Sequence, residues 1–216
     1  METLKLDAVR RCLSAHVPLY SWHQPVYQHA ALLSLQRLWD RTHDSVLDVG
    51  GGTGVMAQAI KTLFGVRRTV AVDVQNRFLP GLDIETDVYD GRTLPFADGS
   101  FDCIVLLNVL HHVPVTARAP LLRECRRVAG RGPIYIKDHL STGYADDLRL
   151  AFLDLMGNVP FHGMVRAKYL REQDWQALAQ ETAHASSEHV SGAYRGGAFA
   201  ELFPNRLEVT MRWRPA

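Results

Sequence analysis

The chain has few cysteines, no long apolar run and almost no net charge. Three of its 216 residues are cysteine (Cys12, Cys103, Cys125), an odd count with no Cys-x-x-Cys pair. That leaves no disulfide framework. Cys103 and Cys125 sit in apolar segments and read as small buried hydrophobes of a reducing compartment. Lys and Arg number 24 against 23 Asp and Glu, a net charge of +1 with neutral histidines. The electrostatic footprint of a nucleic-acid binder is missing. Arg118, Arg123, Arg126, Arg127 and Arg131 do cluster, but within one helical pattern, and are expected to form a solvated helix face. No run approaches a membrane span. The first residues, Met1-Glu2-Thr3-Leu4-Lys5-Leu6-Asp7, lack the apolar core of a targeting peptide. Together these predict a cytoplasmic protein with neither nucleic acid nor membrane as partner. Repeats and low-complexity tracts are also absent, and the length suits one domain with a real core.

What is present starts at Val46-Leu47-Asp48-Val49, an apolar run that flows into Gly50-Gly51-Gly52-Thr53-Gly54 and then a helix start. A strand, a glycine turn and a helix bring backbone close to a small ligand. Glycine has no Cβ to block contact and tolerates positive φ, and the helix N-terminus offers unpaired N–H groups. Two patterns fit. Gly52, Gly54 and Ala57 followed by Asp73 satisfy the dinucleotide fingerprint. Asp48, Gly50, Gly52 and Gly54 satisfy acid-x-Gly-x-Gly-x-Gly, which resembles the first motif of class I S-adenosylmethionine-dependent methyltransferases. The turn alone does not separate them.

The flanks predict an alternating chain. Leu4–Leu13 and Val26–Arg41 read as helices around a loop, His16–Pro25, dense in aromatics and histidines. Strands are expected at Ser45–Val49, Arg68–Val72, Ile84–Val88, Phe101–Leu107 and Pro133–Lys137, and two more at His184–Ser191 and Leu207–Trp213. Helices are expected at about Thr53–Phe64, Thr116–Val128, Asp146–Met156 and Arg171–Glu181. Between Asp73 and Ile84 there is almost no room for a crossover helix. Strands alternating with helices imply a parallel α/β sheet covered on both faces. Val209, Met211 and Trp213 alternate with Glu208, Thr210 and Arg212, as in an outer antiparallel strand.

More residues carry the methyltransferase resemblance. Ala71-Val72-Asp73-Val74 ends the second strand in an acid. Asp90 to Asp102, with Leu94-Pro95-Phe96 and Ser100-Phe101-Asp102, resembles a segment of the ubiquinone/menaquinone-type small-molecule methyltransferases (methyltransferase domain 11-like). Asn108-Val109-Leu110-His111-His112-Val113 follows strand four as in that group. A nicotinamide-dependent oxidoreductase would explain the glycines and Asp73 but not the Leu-Pro-Phe segment. A non-catalytic cofactor-binding subunit is the other alternative. The resemblance implies a Rossmann-like seven-stranded, mostly parallel sheet with helices on both faces, an antiparallel last strand and an N-terminal helical cap. Residues 1–216 then form a single domain, with 1–44 the cap, 45–139 the cofactor-binding half and 140–216 the substrate-side half.

It implies S-adenosyl-L-methionine as cofactor, held by Asp48, Gly50, Gly51, Gly52, Gly54, Asp73, Val74, Asp90, Gly91 and Asn108. Asp73 would accept from the ribose hydroxyls and Asp90 from the adenine amine, and Asn108 would lie beside the methionine end. A sulfonium methyl is already activated, so in-line attack needs positioning and exclusion of water. A hydroxyl or amine acceptor also calls for a base, for which His111, His112 and His139 are the candidates. A catechol-type metal scheme needs carboxylates after strand four; Asn108 and two histidines stand there, so no metal is expected. The acceptor, a small apolar or aromatic molecule, is expected against Tyr20, Trp22, His23, Tyr27 and His162. Its identity, the methylated atom and the oligomeric state are not readable from the sequence.

Overall fold

A computed structural model describes residues 2–40, 43–158, 166–191 and 193–216. Two helices come first, α1 (Leu6–Ser14) and α2 (Val26–Leu38), with a short 3-10 turn at Pro18–Ser21 between them. Then follow β1 (Ser45–Val49), α3 (Val55–Phe64), β2 (Arg68–Asp73), β3 (Glu85–Val88), β4 (Cys103–Leu107), α4 (Val115–Ala129) and β5 (Ile134–His139). The remainder is α5 (Tyr144–Asn158), α6 (Glu172–Glu181), β6 (His184–Ser191), α7 (Gly197–Leu202) and β7 (Glu208–Pro215). No helix lies between β2 and β3, as the short connection requires. Helix α7 has no counterpart in the sequence reading: Gly-Gly-Ala-Phe-Ala-Glu-Leu is too short to show a period.

The seven strands form one sheet in the order β3-β2-β1-β4-β5-β7-β6. β1 pairs in parallel with β2 and β4, and β5 continues parallel to β4. β7 runs antiparallel to both β5 and β6. The mostly parallel sheet with an antiparallel last strand is as expected.

Side-chain alternation divides the core into two layers. Leu47, Val49, Ile104, Leu106, Ile134 and Ile136 face α4 and α6, where Leu121, Leu122, Val128 and Trp175 are buried. Val46, Cys103, Val105 and Tyr135 face the other way, onto Val9, Leu13, Leu32, Leu35, Ala59 and Ile60 of α1, α2 and α3. The first two helices therefore belong to a layer against the sheet. The turn between them carries Val17 and Tyr20 to the carboxyl ends of the strands.

The arginine cluster on α4 departs from the expected solvated face. Arg118 is buried and donates to the carbonyls of Val113 and Lys168. Arg126 donates to the carbonyls of Thr182 and Ala183. Arg127 donates to the carbonyls of Leu94 and Phe96 and pairs with Asp98 and Glu124. Glu124 also accepts from the Leu94 N–H. The Leu-Pro-Phe segment is thus stitched to α4 by backbone groups that a helix-face pattern does not reveal.

Candidate active site

The strand ends beside β1 open onto a cavity of about 640 Å³, within the usual size of a small-ligand site. Its wall includes Gly50, Gly51, Gly52, Asp73, Val74, Asp90, Gly91, Asn108 and His112. This is the crevice that a parallel α/β sheet leaves at its switch point. Gly52 has φ +57°, and a Cβ placed on it would meet nothing within 4 Å, so the turn leaves open space there. Gly50 is close-packed: a Cβ would come within 2.7 Å of the Val109 side chain.

Asp73, buried at the tip of β2, accepts from the Gly52 N–H at 2.8 Å and the Gln75 N–H at 3.0 Å, with Arg77 at 3.3 Å. It fixes the glycine turn as well as facing the cavity. Asp90 is exposed and caps its own turn, Oδ1 accepting from the Arg92 and Thr93 N–H groups at 2.8 Å each. Those donors hold its carboxyl below the usual range.

Two predicted cofactor residues lie off the cavity wall. Asp48 is buried beneath the turn, and burial together with the Asp73 charge pushes its carboxyl up to about 7. Gly54 opens α3 in the left-handed conformation at φ +78°, where a Cβ would meet Leu82 at 2.7 Å.

A second cavity of about 860 Å³ is lined by Trp22, His23, Tyr27, Tyr194 and Phe199. Tyr20 and Gln28 line both cavities. Four of the five predicted acceptor residues, Tyr20, Trp22, His23 and Tyr27, are therefore together; His162 lies outside the described residues. Asn108, on the first cavity, donates through Nδ2 to the Tyr27 hydroxyl, on the second, at 2.5 Å.

Lys137 closes that junction. Its Nζ donates to the Tyr27 hydroxyl at 2.5 Å, to Asn108 Oδ1 at 2.8 Å and to Glu208 Oε2 at 2.6 Å. Burial pulls the ammonium's pKa down, but Glu208 and Tyr27 more than reverse this. Glu208 also pairs with Arg195 and approaches His139 Nδ1 at 3.3 Å. This network holds Asn108 at φ +56°, a left-handed conformation unusual outside glycine.

The three candidate bases fall in one cluster. His111 is buried, its Nδ1 at 2.5 Å from Asp138 Oδ1. His139 is buried between Asp154 and Glu208, both at 3.3 Å. Burial would lower the His139 imidazole, yet those two carboxylates raise it to about 9. Neither residue is among those lining the two cavities. His112 is half-buried and does line the first, with Nδ1 at 3.0 Å from the Arg166 carbonyl. Burial and the neighbouring His111 lower it.

The sequence reading missed Lys137, Asp138, Asp154, Tyr169 and Glu208. Strand five extends to His139 rather than ending at Lys137. The signal available was the charged triplet Lys137-Asp138-His139 at the end of an apolar strand.

The order of the sheet and the cavity at its switch point define a Rossmann-like fold, and together with the matches that follow they make the protein an S-adenosylmethionine-dependent methyltransferase, an enzyme with S-adenosyl-L-methionine as cofactor. Residues 47–136 match the family described as Methyltransferase domain. Among individual proteins, the chain is 28% identical over 176 residues to the ubiquinone/menaquinone biosynthesis C-methyltransferase UbiE of Pseudomonas fluorescens (strain SBW25), covering 68% of each. A SAM-dependent methyltransferase from Methanosarcina mazei shares the fold at a TM-score of 0.61 and 16% identity, over 84% of this chain and 96% of that one. So does an O-methyltransferase from neocarzinostatin biosynthesis, solved with S-adenosylmethionine and 2-hydroxy-5-methyl naphthoic acid. Its TM-score is 0.58 at 18% identity, over 88% of this chain and 56% of that one.

Among the described residues no helix is long and apolar enough to cross a membrane.

Proposed function

We propose that the enzyme methylates a small apolar or aromatic molecule, with the cofactor in the 640 Å³ cavity and the acceptor in the 860 Å³ one. The observation that carries this is the hydrogen bond between Asn108 and Tyr27, which joins the walls of the two cavities. A methyl donor and its acceptor must meet at such a boundary. Gly50, Gly51 and Gly52 would pass beneath the methionine portion and Asp73 would accept from the ribose hydroxyls. Asp90 and Gly91 would face the adenine, and Asn108 would stand beside the sulfonium end. The open space at Gly52 and the buried carboxylate of Asp73 fit that molecule. When bound, the cofactor supplies an electrophilic methyl group.

The chain's own contribution is to bring an acceptor nucleophile into line and to exclude water. Tyr20, Trp22 and Tyr27 supply an apolar wall. Where the nucleophile is a hydroxyl, His23 is the imidazole on the acceptor cavity placed to take its proton. The buried His111 and His139 would act by fixing the strand-end backbone. Residues 45–139 would thus serve the cofactor, while 1–44 and 140–216 bound the acceptor.

Calorimetry with S-adenosylhomocysteine and with NAD tests the cofactor cavity: micromolar binding of the first and none of the second is expected. Incubation of labelled S-adenosylmethionine with small-molecule extracts tests the acceptor, with label expected in a low-mass apolar product. Label appearing only in protein would overturn the acceptor reading.

A further inference from the structure

His111, His112 and Asp154 place one donor atom each within 4.8 Å of one another. They come from the turn after β4 and from α5. No carboxylate follows β4, so the sequence alone leads to no metal there; the fold brings one in from α5. We propose that these three residues form a binding site for a divalent transition-metal ion of the zinc class.

Three features point to an ion rather than to packing. First, both imidazoles are held in one tautomer. His112 Nδ1 faces the Arg166 carbonyl, which accepts only, so Nδ1 carries a proton and in the neutral ring Nε2 holds the lone pair. His111 Nδ1 faces the Asp138 carboxylate with the same consequence. A carboxylate or carbonyl behind each histidine is the outer-shell arrangement that metal-ligating imidazoles show.

Second, His111 Nε2 is buried and makes no hydrogen bond among the described residues, yet lies 3.4 Å from Asp154 Oδ2. Two ligands of one tetrahedral zinc are about 3.3 Å apart when their bonds are about 2.0–2.1 Å. The pair is spaced to share an ion and not aligned to share a proton. Third, Asp154 is itself oriented, its Oδ2 accepting from the Tyr169 hydroxyl at 2.6 Å.

Two imidazoles and one carboxylate suit zinc and its neighbours better than magnesium or calcium, which take oxygen. The described residues supply three ligands, and among them a further coordination position stays open. His112 also lines the cofactor cavity, so the ion would sit against that wall. The proposal is independent of which acceptor fills the second cavity.

The test uses the untagged full-length chain, stripped with a chelator and titrated with Co²⁺ and Zn²⁺. One equivalent of Co²⁺ should bind, with the visible absorption of a four- or five-coordinate ion, and Zn²⁺ should displace it. His112→Gln and Asp154→Asn should each weaken binding by at least about 10- to 100-fold. His189→Gln, an exposed histidine elsewhere, should leave stoichiometry and affinity unchanged. His112 is half-buried, so its variant keeps the test alive if Asp154→Asn fails to fold. Absence of stoichiometric Co²⁺ binding to the wild-type chain would overturn the site. Binding that survives in a folded His112→Gln variant, or is lost in His189→Gln, would overturn it too.

Discussion

The backbone N–H of Gly52 donates to Asp73 Oδ2 across 2.8 Å, which ties the glycine turn after β1 to the tip of β2. One carboxylate therefore shapes the turn and faces the cavity. Asp73→Ala should weaken S-adenosylhomocysteine binding by about 2–4 kcal/mol, since a charged acceptor is lost from two hydroxyls. Gly52→Val should do worse, because its side chain enters the open space and its φ of +57° strains any β-branched residue. Titration calorimetry of both variants reads the effect. Equal affinity of Asp73→Ala and wild type would put the ribose elsewhere.

The buried Lys137 joins Tyr27, Asn108 and Glu208. Lys137→Met should destabilise the fold by about 3–5 kcal/mol, because it breaks a buried pair and leaves Glu208 short of a cation. Tyr27→Phe should cost less, about 1–3 kcal/mol, since only a hydroxyl that accepts two bonds is removed. Urea unfolding of the two variants measures the order, and a Tyr27→Phe loss at or above that of Lys137→Met would refute it.

How much of this the sequence discloses follows from the range of each interaction. Ser45–Val49 and the glycines after it form a local pattern, and β1 has the bounds expected. Asp73 is legible for the same reason, as the acid ending an apolar run. Lys137 and Tyr27 are 110 positions apart, and Lys137 and Glu208 are 71. No local pattern announces such a pairing; it exists only once β5 lies beside β7. Arg118 read as one of a solvated set because periodicity assigns a face, whereas its buried guanidinium serves the carbonyls of Val113 and Lys168.

Asp48 gives a pH dependence with a definite sign. Its carboxyl is raised to about 7 by burial and by Asp73, against an unfolded value of about 3.9. Between those values the folded state holds more protons than the unfolded one. The contribution is complete below about pH 4 and is lost as pH rises toward about 7. Asp48→Asn removes this dependence. Its stability relative to wild type should climb across that window by about 2–4 kcal/mol and level off above it. Urea midpoints of both proteins from pH 4 to pH 8 (roughly the window set by those values) check the slope. A flat difference would mean that Asp48 titrates alike in the two states.

Trp22 and Tyr20 are close neighbours in the same segment but differ in burial. Tyr20 is 6% exposed and packs with α1 and α2, whereas Trp22 is 81% exposed. Both border the acceptor cavity. A large indole left in water at the mouth of an aromatic-lined cavity contributes little to the fold, so Trp22→Ala should change stability by no more than about 0.5 kcal/mol. Its value would come when an acceptor binds and the ring closes over it, as covering segments do. Turnover of Trp22→Ala should therefore fall. Cofactor affinity should stay within about tenfold, or roughly 1.4 kcal/mol, because Trp22 is not on the cofactor wall. Hydrogen exchange should support the same division, with residues 20–27 slowing more on joint addition of cofactor product and acceptor than the back of α3 does. If Trp22→Ala turns over normally and exchange in 20–27 ignores both ligands, this segment is a packed connector, and the acceptor must be enclosed by the Tyr194–Phe199 side of the cavity alone.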